Sequence, residues 1–330
     1  MQAIVANQLI KHFSPDIKAV DGIDLDIPEG QVFGFLGQNG SGKTTTVKML
    51  TTLLKPTSGS ATVGGIDVFK DPDRVRKTVG VAMQEVGLDE LQTGRELMTL
   101  QARLFGLSGR EAKKRVDELL EIVSLTDAAD RPTKGYSGGM KRRLDLVTAL
   151  VHQPRIVFLD EPTTGLDPIT REDVWRYVVE LNKQGVTFFL TTQYLEEADR
   201  LTHDIAIMDA GKIVAQGSPE QLKAAIGSDA ITLRFEAGAA ALPEAEPVLR
   251  GFEGVEDVRI MEQEAIVYIR NGSAAIAGIV RRLDEEGHRV ARLGLTHPTL
   301  DDVFLRATGH HLEVSETTQA AARAAAGGGA

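Results

Sequence analysis

The chain has 330 residues, 42% of them apolar, which suits about two domains with ordinary hydrophobic cores. A net charge of −10 argues against nucleic acid as the main partner, and the lack of cysteine excludes disulfides, thiolate metal sites and a cysteine nucleophile while fitting a reducing cytoplasm. Residues 1–20 lack the basic-then-apolar order of a signal peptide, and no apolar run approaches the roughly 20 residues needed to span a bilayer.

Residues 4–8 and 31–36 read as strands. The second runs straight into Gly37-Gln38-Asn39-Gly40-Ser41-Gly42-Lys43-Thr44, the G-x-x-x-x-G-K-[ST] phosphate loop, and residues 45–50, from Thr45 onward, read as a helix. That is the context the motif requires. Glycines let successive backbone N–H groups turn inward at a helix N-terminus, which makes a concave anion site. In such a loop Lys43 reaches the β- and γ-phosphates, and the Thr44 hydroxyl ligates Mg²⁺. A glycine-rich turn with no ligand is the plain alternative, and strand-loop-helix context speaks against it. A nucleoside triphosphate is therefore the expected ligand.

Residues 97–125 are helical in pattern, with Leu97, Leu100, Ala102 and Leu104, then Val116, Leu119, Leu120 and Val123, at three- and four-residue spacing. This block keeps the phosphate loop more than a hundred residues from the next acidic strand. An inserted helical subdomain, about 86–150, is the reading. Within it Tyr136-Ser137-Gly138-Gly139-Met140 opens an apolar-periodic helix. Two glycines after Ser137 could form a second anion nest, although alone the segment reads as a plain N-cap turn. Residues 155–159 form a buried-type strand ending in Asp160 and Glu161. Ligands of open α/β sheets sit beyond the carboxyl ends of strands, so Asp160 is placed to hold Mg²⁺ and Glu161 to act as general base toward water. An acidic strand end at a surface loop is the bland alternative.

Residues 186–190 give another strand, and 205–215 a hairpin turning at Asp209-Ala210-Gly211. Ser218, Pro219 and Gln221 start a helix that ends near Gly227, where a domain boundary is expected. Residues 231–306 then read strand, helix, strand, strand, helix, strand, an order suggesting a ferredoxin-like α+β domain. Ten basic and fifteen acidic residues give residues 231–330 a charge of −5, without an aromatic RNA-stacking signature. The end of the chain, 309–330, is expected to be a low-complexity disordered tail.

With the phosphate loop, Gln84, Ser137 and its glycines, the Asp160-Glu161 pair and Gly165-Leu166-Asp167 in this order, residues 4–217 resemble the ATP-binding subunit of ABC transporters. The resemblance implies an α/β P-loop NTPase of ABC type with an inserted helical subdomain over 1–227. The small α+β domain, 228–308, would be accessory. It implies Phe13 stacked on adenine, with core packing as the alternative. Gln84 would touch Mg²⁺ or the attacking water, where the helical subdomain joins. Ser137, Gly138, Gly139 and Asp167 would meet ATP held by a second copy of the chain, in a head-to-tail homodimer. Tyr136 and Met140 depart from the family's usual Leu and Gln, and Gln193 stands where most members carry His. Gln193 can still position water, although it cannot become cationic; a spacer role is the alternative.

Gln193 and the segment running from Pro298 through Thr299, Leu300, Asp301, Asp302, Val303, Phe304, Leu305, Arg306, Ala307 and Thr308 to Gly309 are similar to the daunorubicin-resistance type that serves ABC-2 type exporters. ATP and Mg²⁺ as cofactors, a separate transmembrane permease and a place on the cytoplasmic face of the membrane follow from that likeness. A soluble ABC ATPase of DNA repair or translation is a rival, disfavoured by the single ATPase unit and the missing basic face. A drug-sequestering ATP-binding protein is another. The lone Trp175 and the pair His310-His311 need no functional reading.

Overall fold

The computed structural model describes residues 1–14, 16–84, 87–261 and 263–310. Two compact units form, one spanning Met1–Pro219 and the other beginning at Glu220. The division falls at the start of the helix whose end was expected to mark it. The expected tail lies outside the described residues except for Gly309 and His310.

The first unit begins with β1 (Gln2–Ser14), β2 (Ile17–Pro28), β3 (Val32–Leu36), α1 (Lys43–Leu50), β4 (Ser58–Val63), β5 (Ile66–Asp67), α2 (Pro72–Thr78) and β6 (Val79–Ala82). Then come α3 (Gly94–Leu104), α4 (Gly109–Ile122) and α5 (Gly138–Thr148). It closes with β7 (Ile156–Asp160), α6 (Pro168–Lys183), β8 (Thr187–Thr192), α7 (Leu195–Leu201), β9 (Asp204–Asp209) and β10 (Lys212–Gly217). One sheet has the order β2-β1-β4-β5, and the other β10-β9-β3-β8-β7-β6. In the second sheet β9, β3, β8, β7 and β6 pair in parallel, with β10 antiparallel at the edge.

The central strands are apolar throughout because both faces are covered. Phe33, Phe35, Phe158 and Phe189 point to one side, where β1, β2, β4 and α1 also pack. Val32, Val157, Leu159, Phe188 and Leu190 point to the other, beneath α3 to α6. The helical pattern of 97–125 is two helices rather than one. Gly106 takes a left-handed φ of 87°, and Ser108 caps α4 reciprocally with Glu111, so the chain stops and restarts there.

Around the second unit, α8 (Pro219–Ile226) is followed by β11 (Asp229–Phe235), α9 (Leu242–Arg250), β12 (Val255–Met261), β13 (Glu264–Ile269), α10 (Gly272–Glu285), β14 (Val290–Thr296) and α11 (Leu300–Thr308). The sheet order β12-β13-β11-β14, with every pairing antiparallel, is that of a ferredoxin-like βαββαβ domain. Ile231, Leu233, Val267 and Ile269 alternate onto the face covered by Leu249, Ile279 and Leu283 of α9 and α10.

Candidate active site

At the carboxyl end of β3 the phosphate loop is held by geometry that only glycine permits. A Cβ on Gly37 would lie 2.4 Å from the Met208 carbonyl. One on Gly42, where φ is 111°, would lie 2.2 Å from the Ala19 carbonyl. The loop is also tied to the turn between β9 and β10. Gly211 donates its N–H to Ser41 O at 3.0 Å, and its own carbonyl accepts from Asp21 N at 2.8 Å.

Lys43 opens α1, and its ammonium donates to Gly37 O (2.7 Å) and Gln38 O (2.9 Å), with Glu161 Oε1 at 3.6 Å. Burial pulls its pKa down, opposed by the charges of Glu161 and Asp160. Beside it, Thr44 Oγ1 donates to Asp160 Oδ1 at 3.2 Å, and Thr191 Oγ1 donates to the same oxygen at 2.6 Å. Asp160 is fully buried, and its Oδ2 has no hydrogen-bond partner. A buried carboxylate oxygen left orphaned next to a threonine hydroxyl is a hard-oxygen donor set that suits a divalent cation such as Mg²⁺.

Glu161 sits just past β7 with φ of 47°, a conformation costly for a residue with a Cβ. Its N–H is pinned to Thr191 O at 3.2 Å and Thr191 Oγ1 at 3.0 Å. Its carboxylate is where the long-range parts of the site meet. Oε2 accepts from Thr164 Oγ1 at 3.1 Å, Gln84 Nε2 at 3.2 Å and Gln193 Nε2 at 3.3 Å. Gln84 follows β6 and Gln193 follows β8, so three strand ends converge on one oxygen.

The other expected residues stand elsewhere or locally. Phe13 is 58% exposed near the end of β1, with Lys11 Nζ 5.2 Å from its ring centroid, so it is no core residue. Ser137 is the N-cap of α5, accepting from Met140 N at 3.2 Å, with Gly138 and Gly139 in the first turn. Asp167 caps α6 through Thr170, whose hydrogen bonds hold its carboxyl below the usual range. Tyr136 fills a buried slot and satisfies its hydroxyl on Ala128 O at 2.7 Å.

Sequence reasoning missed Arg142. Buried on α5, it donates from Nε to Pro162 O (2.9 Å) and from Nη2 to Asp160 O (2.8 Å) and Glu161 O (3.0 Å); Nη1 bonds Met83 O beside Gln84. Asp145 lies 3.4 Å away. Burial lowers the Arg142 pKa and pushes the Asp145 carboxyl up to about 6, so desolvation outweighs their attraction and the carbonyls hold the guanidinium. One signal was available: Arg142 stands four and eight residues before Leu146 and Leu150, on an apolar stripe.

Residues 20–164 match the family model described as ABC transporter, and 217–308 match that of the ATP-binding protein DrrA1-3-like, C-terminal domain. The daunorubicin resistance ATP-binding protein DrrA2 of Streptomyces coeruleorubidus is 43% identical over 97% of this chain and 99% of its own. The chain belongs to the daunorubicin-resistance family of ABC transporter ATP-binding subunits. ATP binding, and hydrolysis coupled to transport, come with that membership, as do a transmembrane partner and pairing of two ATPase domains. The linearmycin resistance ATP-binding protein LnrL of Bacillus subtilis is 34% identical over 89% of this chain and 94% of its own. Among solved structures, the dimeric post-hydrolysis state of the ATP-binding cassette MJ0796 bound to ADP and Pi aligns with a TM-score of 0.61 at 27% identity, covering 65% of this chain and 98% of that one. Among the described residues, no helix is long and apolar enough to cross a membrane.

Proposed function

We propose that the chain powers export of a drug-like or other hydrophobic substrate through a separate ABC-2 type permease, from the cytoplasmic face of the membrane. The observation that carries the chemistry is the convergence of Gln84, Thr164 and Gln193 on Glu161 Oε2, with Lys43 3.6 Å from Oε1. The drug-resistance names of the relatives support the cargo class.

In this reading Phe13 stacks on adenine, and the N–H groups of residues 37–45 wrap the phosphates. Lys43 exchanges the Gly37 and Gln38 carbonyls for β- and γ-phosphate oxygens. Thr44 and Asp160 would hold Mg²⁺, which would neutralise phosphate charge, with Gln84 as a further candidate ligand. Glu161 takes the proton of a water that attacks the γ-phosphorus as ADP leaves, while Gln84 and Gln193 orient that water. Ser137, Gly138, Gly139 and Asp167 complete the site on a second copy, so ATP closes two chains face to face and product release reopens them. Glu161→Gln keeps the shape and removes the base. We expect that variant to bind ATP and dimerise while hydrolysis falls by about two or three decades. Wild-type turnover would overturn the assignment of the base.

A further inference from the structure

Glu197 is a fully buried carboxylic acid that the scheme above does not use. It lies on α7, four residues after Gln193. Its Oε1 accepts from Trp175 Nε1 of α6 at 2.9 Å and from Thr163 Oγ1 at 2.8 Å, while Oε2 has no partner. Thr163 is part of the tight turn after Glu161: Thr164 N donates to Glu161 O at 3.3 Å, and Leu166 N to Thr163 O at 3.2 Å. The neighbouring hydroxyl, that of Thr164, donates to the Glu161 carboxylate at 3.1 Å. A single buried group thus grips the turn carrying the base, and it belongs to the segment carrying Gln193. A buried acid normally appears where its cost is offset by a specific constraint.

We propose that Glu197 is a positioning residue for ATP hydrolysis, fixing Thr163 and through it the Thr164–Glu161 contact, with Trp175 as its second anchor. The inference rests on the reading of Glu161 as base. Glu197 touches no reacting atom, so its loss should lower kcat and leave the KM for ATP in place. Burial pushes its carboxyl above the usual range, against the hydrogen bonds from Trp175 and Thr163, so an amide of the same shape should serve nearly as well.

Trp175 is the chain's single tryptophan, which makes the test readable in the full chain. ATPase kinetics and Trp175 emission would be measured for Glu197→Gln and Glu197→Leu. The expected result is a kcat within about threefold of wild type for Gln and at least about tenfold lower for Leu, with KM within about twofold. A shift of the Trp175 emission maximum should accompany the Leu variant. Should Glu197→Leu fail to fold, Thr163→Val against Thr163→Ser decides: Val should reproduce the kcat loss, and Ser, which keeps the hydroxyl, should restore it. Full kcat in Thr163→Val, or a Leu variant as active as Gln, would overturn the proposal. A wild-type rate in Glu161→Gln would instead overturn the base assignment, so the two failures are told apart.

Discussion

Replacing Arg142 by Met removes the guanidinium while keeping roughly the side chain's length. Four backbone carbonyls, those of Met83, Asp160, Glu161 and Pro162, then lose a donor in a buried place. At about 1–3 kcal/mol for each acceptor left unsatisfied, simple addition gives about 4–12 kcal/mol. Carbonyls have a second lone pair and the segment can relax, so the lower part of that range applies. About 3–5 kcal/mol is also the measured scale for removing one member of a buried charged pair. With a urea slope of roughly 2–3 kcal/mol per molar for a unit of this size, the unfolding midpoint should fall by about 1–2 M. Trp175 lies in the same unit, so its emission reports that transition. Asp145→Asn serves as the control, because its carboxylate is only one of five partners and the longest at 3.4 Å. An unchanged midpoint in Arg142→Met would refute the clamp. So would an Asp145→Asn loss equal to that of Arg142→Met, which would give the stabilisation to the ion pair.

Gln193→His should hydrolyse ATP at an equal or faster rate, with a new acidic limb in the pH–rate profile near the histidine pKa; a folded but inactive variant would mean the site is built around the amide. Because the Asp145 pKa is raised in the fold to about 6, its contribution to stability is full below about pH 4 and lost as pH rises through 6. Wild type should therefore lose midpoint relative to Asp145→Asn between pH 4.5 and 7, and a flat difference would contradict the shift. In Gly42→Ala the new Cβ meets the Ala19 carbonyl at 2.2 Å in a left-handed conformation. Binding of a fluorescent ATP analogue should weaken by at least about tenfold, and unaltered affinity would show that the loop adapts.

What the sequence disclosed was contiguous. The phosphate loop, the acidic end of β7 and the capped start of α5 each announce themselves within about ten residues, because each is a local backbone geometry with its own residue demands. The ferredoxin-like order also showed, since the two central strands, β11 and β13, alternate against one helical face. Arg142 did not, because Lys141-Arg142-Arg143 looks like a solvated run and its acceptors are carbonyls, which carry no side-chain signature. Glu197 was hidden among the acids of α7 for a related reason: its donors, Thr163 and Trp175, come from other segments. β2 escaped notice because it lies in an irregular antiparallel pair whose register shifts repeatedly against β1. Seven-residue α2 was too short for periodicity to reveal.

Hairpin tips usually tolerate inserted peptides, tags and neighbouring-domain grafts, since their backbone groups face water. The tip at Ala210 and Gly211 is different. Both polar backbone groups of Gly211 are committed, one to Ser41 of the phosphate loop and one to Asp21 of β2, and a Cβ there would lie 2.9 Å from the Lys18 carbonyl. An insertion at this exposed-looking turn would loosen the nucleotide loop from some 170 residues away. Anyone splitting, permuting or tagging this chain should cut elsewhere.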